Sequence, residues 1–345
     1  MQLTDPQRRT LQQLIGTGER PVFPADLAQR LRDRIEGAAR SLDLPDALWL
    51  GKEKLNDLGR CEGTFSSKIA GEAPPFEHGR ASATGVLQHR AIEVVVGARE
   101  PLDPHTAAKL SVERTVDKEE RFAEYWAGLP APERDDIQME VVRRTILFEA
   151  SFPPLRELRR ELSPATELSV RAELLGGALV VSGKLDLLLG APDRLEPMRA
   201  TRIAIDLKTG SAYPQYAEDN RLYALVLALR FGVPPFRVAS FFLEGGTWQA
   251  EDVDEGTLFH AADRVVEAAR SAAAIHNGRD PSLTPGPWCG WCPRVQVCPA
   301  ADPDARSSGA APSLSGQPAV ARVPQPTGVG VSEGSSHGEG RLRHR

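Results

Sequence analysis

Several things are scarce in this chain of 345 residues, and each scarcity closes off a class of protein. Its four cysteines are too few for the disulfide framework of a secreted scaffold of this length. No apolar run reaches the roughly 20 residues a membrane-spanning helix needs. The N-terminal run Met-Gln-Leu-Thr-Asp-Pro-Gln-Arg-Arg also lacks the apolar core of a signal peptide. The expectation is a cytoplasmic protein with no membrane partner. Positive charge is not in excess either: 42 Lys and Arg stand against 47 Asp and Glu, a net charge of −5. That excludes a protein that coats nucleic acid over its whole surface. Any nucleic-acid site must be a local basic groove or one assisted by a metal ion.

What is present is ordinary for a globular chain, with 41% hydrophobic and 26% charged residues and length enough for one large or two modest domains. Thr4-Asp5-Pro6 opens a helix, and helical patterning returns at residues 26–42, which marks residues 1–48 as a helical N-terminal region. A short helix from Trp49 delivers Cys61 at its end. Further helices are expected around Gly85, His89 and Glu93, then over residues 113–126 and 132–149. There the pattern switches to strands over 167–174, 178–189, 202–207 and 237–244, with Gly176-Gly177 as a hairpin turn. Two more helices, 213–231 and 255–277, complete an α/β body over residues 49–300. Residues 301–345, rich in Ser, Gly, Pro and Ala, read as a disordered tail. Arg143, Arg144, Arg156, Arg159 and Arg160 are expected on solvated faces.

The chemistry concentrates in two runs, Gly183-Lys-Leu-Asp186-Leu-Leu-Leu and Ile203-Ala-Ile-Asp206-Leu-Lys208-Thr-Gly210. Each is an apolar strand interrupted by one acid, and a carboxylate buried among Ile, Leu and Val is costly unless something compensates it. Two such acids on neighbouring strands can share a divalent cation. Period-two alternation puts Asp206 and Lys208 on one face, so an ammonium group stands beside that cation. This is an arrangement suited to phosphodiester cleavage. On its helix His89 shares a face with Glu93, four residues on. The glycine spacing around Gly183-Lys184 does not make a phosphate-binding loop, so no nucleotide motor is expected.

The cysteines form a second constellation. Cys289, Cys292 and Cys298 stand in C-x2-C-x5-C spacing, and Cys61 lies far upstream. Four thiolates with a tight C-x-x-C core suit zinc or an iron–sulfur cluster, and spacing leaves both open. Either would clip the C-terminal loop to the N-terminal part of the chain.

Taken in order, Gly85-x3-His89-x3-Glu93, Gly183-Lys-Leu-Asp186, Asp206-Leu-Lys208-Thr-Gly210 and a helix bearing Tyr223 resemble the RecB-type nucleases of the PD-(D/E)XK superfamily. The four cysteines resemble its iron–sulfur branch, which includes AddB nuclease domains and four-cysteine CRISPR-associated exonucleases. The resemblance runs from about Trp49 to Pro299. It implies a restriction-endonuclease-like α/β fold, a mixed sheet flanked by helices. It implies Mg2+ or Mn2+ held by His89, Asp186, Asp206 and the carbonyl of Leu207, with Lys208 positioning the attacking water. Tyr223 would lie near the DNA, Glu93 would support the site, and Cys61, Cys289, Cys292 and Cys298 would hold a [4Fe–4S] cluster. The implied activity is hydrolysis of single-stranded DNA ends in repair or recombination, beside a helicase or repair partner. The alternative is a non-catalytic DNA-binding or assembly subunit that keeps the fold. One departure stands out: Asp219 occupies the position where the family's Q-x3-Y helix carries glutamine.

Overall fold

The computed structural model describes residues 3–16, 19–45, 47–72, 76–210 and 212–301. The expected disordered tail, beyond Ala301, lies outside them. Strand β1 (Leu48–Leu50) is followed by helices α3 (Lys52–Arg60) and α4 (Glu62–Ile69), and preceded by α1 (Asp5–Ile15) and α2 (Leu27–Ala39). A helical stretch follows: α5 (Arg80–Gly97), α6 (Pro104–Lys118), α7 (Glu120–Gly128), α8 (Ala131–Ser151) and the single turn α9 (Arg159–Leu162). Then come β2 (Ala165–Leu174), β3 (Leu179–Leu189), β4 (Ile203–Lys208), α10 (Gln215–Phe231), β5 (Arg237–Phe242), β6 (Thr247–Asp252) and α11 (Glu255–His276).

The strands form one mixed sheet in the order β1-β3-β4-β5-β6, with β2 pairing β3 on its other edge. Hairpin β2–β3 turns through Gly176 and Gly177, both at positive φ, where glycine carries no steric penalty. β4 and β5 run parallel because α10 crosses between them, and both strands are buried almost without interruption. The fold class is the one expected, a six-stranded mixed sheet flanked by helices.

One core joins the sheet to helices at both ends of the chain. Leu27, Leu31 and Ile35 of α2 pack in the same apolar cluster as Leu225 and Leu229 of α10 and Val265 and Ala269 of α11. A second cluster lies within the helical stretch, built on Ala83, Leu87, Phe122, Ile137 and Val141.

Three elements differ from the expectation. A single helix over residues 113–126 is replaced by α6 and α7, because Glu119 is extended (φ −126°, ψ 95°). β1 precedes the helix expected from Trp49, and β6 was not foreseen. β1 has only three residues and β6 keeps no buried face, so neither carries a strong periodic signal.

Candidate active site

The site lies where the sheet changes partners. β3 pairs in parallel with β1 through Leu179–Val181 and antiparallel with β4 through Leu187–Leu189. The pairing of β3 with β4 stops at Leu187 opposite Ile205, one residue before Asp186 and Asp206 would meet. The two strands part there, and the backbone N–H of Leu207 donates to Asp186 Oδ2 at 2.7 Å. Asp186 Oδ1 is left facing His89 Nδ1 of α5 at 3.1 Å.

A residue that the sequence reading passed over completes this group. Glu167 lies on β2 opposite Asp186, but the ladder skips it: Thr166 pairs with Leu187 and Leu168 with Leu185. Its φ is +52°, in the left-handed region that a residue with a Cβ enters at a cost. Glu167 Oε1 lies 3.7 Å from His89 Nδ1, and the other oxygen contacts Lys184. Ligand atoms of His89, Glu167 and Asp186 all lie within 4.8 Å of one another. The signal that could have found Glu167 was an acid one strand away in an alternating run, and such acids are common on solvated strand faces.

Asp206 is 2% exposed, and the oxygen Oδ2 meets Lys208 Nζ while Lys52 Nζ stands 3.9 Å from Oδ1. Burial and the nearby Asp186 charge push its pKa up, and the two lysines pull it down. Asp186 is held below the usual carboxylate range: burial opposes this, but the His89 charge and hydrogen bond and the Leu207 N–H outweigh it. His89, desolvated yet facing Asp186 and Glu167, is raised to about 10. The protons and ammonium groups offset a surplus of carboxylate charge that a divalent cation would neutralise. The donor set of oxygens and one imidazole fits Mg2+ or Mn2+.

Of the residues implied by the resemblance, His89, Asp186, Asp206 and Lys208 come together. Leu207 adjoins them, and its N–H serves Asp186. Tyr223 of α10 is 2% exposed, its ring packed so closely on Gly183 that a Cβ there would lie 2.8 Å from Cδ1. Glu93 pairs with Arg90 on its own helix. Asp219 is buried and turned toward α3, where Asn56 Nδ2 donates to its Oδ1 at 2.9 Å and Arg264 donates to Asn56 Oδ1 at 2.6 Å. Arg143 and Arg144 pair with Glu140 and Glu244, and Arg159 donates to the Val96 carbonyl. A cleft of about 1180 Å³ opens onto the site, lined by Lys52, His89, Glu167, Asp186 and Tyr223 and running past Trp49 and Arg171.

The cysteines behave differently. Among the described residues no three of their sulfurs lie within 4.8 Å of one another. Ligand spacing therefore gives the expected four-cysteine cluster no support, and it disfavours zinc, whose four thiolates would stand about 3.8 Å apart. All four nonetheless line one small apolar cavity. The Thr284 N–H lies 3.5 Å from Cys61 Sγ, the Gly286 N–H 3.4 Å from Cys289 Sγ, and Thr64 Oγ1 3.7 Å from Cys292 Sγ. The loop is fixed by Glu62, which accepts from the Ser282 N–H at 2.7 Å and from Arg279 at 2.8 Å.

A family model described as the PD-(D/E)XK nuclease superfamily matches residues 52–299. The chain belongs to that superfamily. No curated protein matches it. Among solved structures, it is similar to a "putative exonuclease" from Eubacterium rectale, at 12% identity and a TM-score of 0.42, over 76% of this chain and 88% of that one. No helix among the described residues is long and apolar enough to cross a membrane.

Proposed function

We propose that this chain is a metal-dependent deoxyribonuclease of the RecB/AddB type that hydrolyses single-stranded DNA ends. The observation that carries the reading is the gathering of His89, Glu167 and Asp186 within 4.8 Å, beside the Asp206–Lys208 pair, at the wall of a large cleft. When bound, Mg2+ or Mn2+ would polarise the phosphate and acidify the attacking water. Asp186, oriented by the Leu207 N–H, presents Oδ1 beside His89, and Glu167 adds a second carboxylate from β2. Asp206 supplies a third, and the Leu207 carbonyl is the further ligand. Lys208 contacts Asp206, partly offsetting the upward push that burial and Asp186 give its carboxyl, and positions the water. Tyr223 fixes the wall opposite Gly183.

The single-strand preference is supported by Trp49, exposed in the cleft with the Arg171 guanidinium 5.7 Å from its ring centre. An exposed aromatic beside a cation stacks bases without regard to sequence. Repair or recombination, with a helicase or repair partner that opens duplex, is the setting we infer.

The test is cleavage of end-labelled single-stranded DNA with Mn2+ by wild type, Asp206→Ala and Lys208→Ala. Wild-type cleavage lost in both variants is expected. Equal cleavage by either variant overturns the site, and a folded, metal-loaded wild type that binds DNA without cutting it restores the non-catalytic reading.

For the cysteines we propose a [4Fe–4S] cluster held by Cys61, Cys289, Cys292 and Cys298. Support comes from their shared cavity and from donors aimed at three of the sulfurs, contacts that stabilise thiolate ligands. A cluster, larger than one ion, holds its sulfurs farther apart than zinc does. Anaerobically purified protein is expected to be brown and to contain iron, and Cys292→Ala to lose both. Colourless protein with stoichiometric zinc refutes the cluster.

A further inference from the structure

Two lysines flank Asp206, and they are not equivalent. Lys208 is closed in: its side chain is 12% exposed, it contacts Asp206 Oδ2, and it sits 4.0 Å from the centre of the Tyr216 ring. Lys208 is absent from the cleft wall, which instead includes Lys52. Lys52 opens α3 immediately after β1, and the pairing of β1 with the first half of β3 sets this helix start beside Asp206. Its side chain is 43% exposed, and Nζ reaches only 3.9 Å from Asp206 Oδ1. One side of the ammonium therefore faces the carboxylate and the other faces the cleft.

The surroundings of Lys52 also favour an anion. Gly51 caps α3 without a side chain, so the first backbone N–H groups of the helix have no side-chain cap, and Gly51, Lys52 and Glu53 all line the cleft. The Tyr223 hydroxyl, buried beside Lys52, has no hydrogen-bond partner of good geometry. Its ring centre lies 5.7 Å from Lys52 Nζ. A buried hydroxyl whose close polar neighbour is the Lys52 ammonium, that ammonium itself lining the cleft, and an uncapped helix start thus meet at one point, next to the carboxylates.

We propose that Lys52 is a catalytic residue that binds the scissile phosphate of the nucleic-acid substrate, and that Lys208 is left to Asp206 and the attacking water. This rests on the nuclease reading above and divides between two lysines the work given there to one. A cation on the carboxylates takes over the neutralisation of Asp206, and Lys52 is then free to turn its ammonium to a non-bridging phosphate oxygen. Lys208, enclosed by Tyr216 and Asp206, stays where it is. The Tyr223 hydroxyl is placed to donate to the same phosphate.

The test compares wild type with Lys52→Gln, Lys52→Arg and, as a surface control, Lys109→Gln on α6. Cleavage of end-labelled single-stranded DNA is measured in Mn2+, and binding of the same oligonucleotide is measured across a salt series with Ca2+ in place of Mn2+, so that the carboxylates around Asp206 are neutralised during the measurement. Lys52→Gln is expected to cut kcat/KM by about 100-fold or more, the usual effect of removing one donor to a developing charge. Lys52→Arg is expected to recover most of it. In binding, Lys52→Gln is expected to flatten the plot of log K against log salt by about 0.7, one phosphate contact on a single strand. Lys109→Gln should leave both readouts unchanged.

A Lys52→Gln variant that keeps the wild-type salt slope overturns the proposal. If that variant also needs more Mn2+, Lys52 serves Asp206 and not the substrate. If wild type binds but does not cleave, the nuclease reading fails, and the salt slope still decides whether Lys52 meets a phosphate.

Discussion

The left-handed backbone of Glu167 makes a prediction that separates its carboxylate from its conformation. At φ +52° a residue with a Cβ pays about 1–2 kcal/mol relative to glycine. Glu167→Gly and Glu167→Ala both delete the carboxylate and its contacts with His89 and Lys184. Both also relieve the same crowding of acids around Asp186. They differ in the backbone, where alanine keeps the penalty and glycine loses it. Glycine's greater freedom when unfolded returns part of the gain, roughly 0.5–1 kcal/mol. Glu167→Gly should therefore be more stable than Glu167→Ala by about 0.5–1 kcal/mol, a rise in Tm of about 1–1.5 °C for a chain of this size. Urea or thermal unfolding of the metal-free proteins measures the difference. The two variants should agree in the other assay, each needing about 10- to 100-fold more Mn2+ for half-maximal cleavage, as follows from losing one ligand or its partner. Equal stability of the pair refutes the strain argument. An unchanged Mn2+ requirement refutes the role of the carboxylate, whichever variant is used.

Other sites give independent tests. Glu62, with its pKa held down to about 2 from 4.5 by Arg279 and the Ser282 N–H in spite of burial, stabilises the fold above pH 4.5. That contribution should fade as pH falls from about 4.5 toward 2, so the stability gap of about 1–2 kcal/mol between wild type and Glu62→Gln closes over that window in urea titrations. Gly183→Ala would place its Cβ 2.8 Å from the Tyr223 ring, and is expected to cost about 1–3 kcal/mol and to lower activity; Gly183→Ala combined with Tyr223→Leu should recover stability without activity. Asn56→Ala strips the neutral bridge between buried Asp219 and Arg264 and should cost about 2–3 kcal/mol by thermal unfolding, leaving both charged groups short of a partner.

The parts of the fold that were legible in the chain are those whose pattern is local. Strands β3, β4 and β5 appear as largely apolar runs, and the acids at 186 and 206 stand out because each is flanked by Leu or Ile on both sides. His89, Asp206 and Lys208 were readable because each lies in a short motif on one element. Glu167 was not, since its carboxylate reaches the site only through a backbone turn opposite Asp186, and a lone acid on a half-exposed strand carries no mark of that. Lys52 was hidden for a related reason. Its place beside Asp206 comes from β1 taking the vacant half of the β3 edge, a pairing between residues about 130 positions apart. The break at Glu119 was missed because the apolar spacing of α6 and α7 nearly continues across it. Asp219 looked like a change in substrate contacts, and in the fold it accepts from half-buried Asn56, which in turn accepts from Arg264.

Because β3 is gripped at both ends by different neighbours, its position along the sheet is fixed twice over. The pairs Leu50 with Val181 and Leu187 with Ile205 must both be kept, so the strand cannot slide to suit a substrate or a poorly fitting ion. A slip of one residue would carry Asp186 through to the opposite face of the sheet and bring Leu185 or Leu187 out in its place. The spacing between the two acids is thus a property of strand length and pairing, set before any side chain chooses a rotamer. Insertions in the loops at either end of β3 should leave that spacing untouched, whereas one extra residue between Val181 and Leu187 would dismantle it.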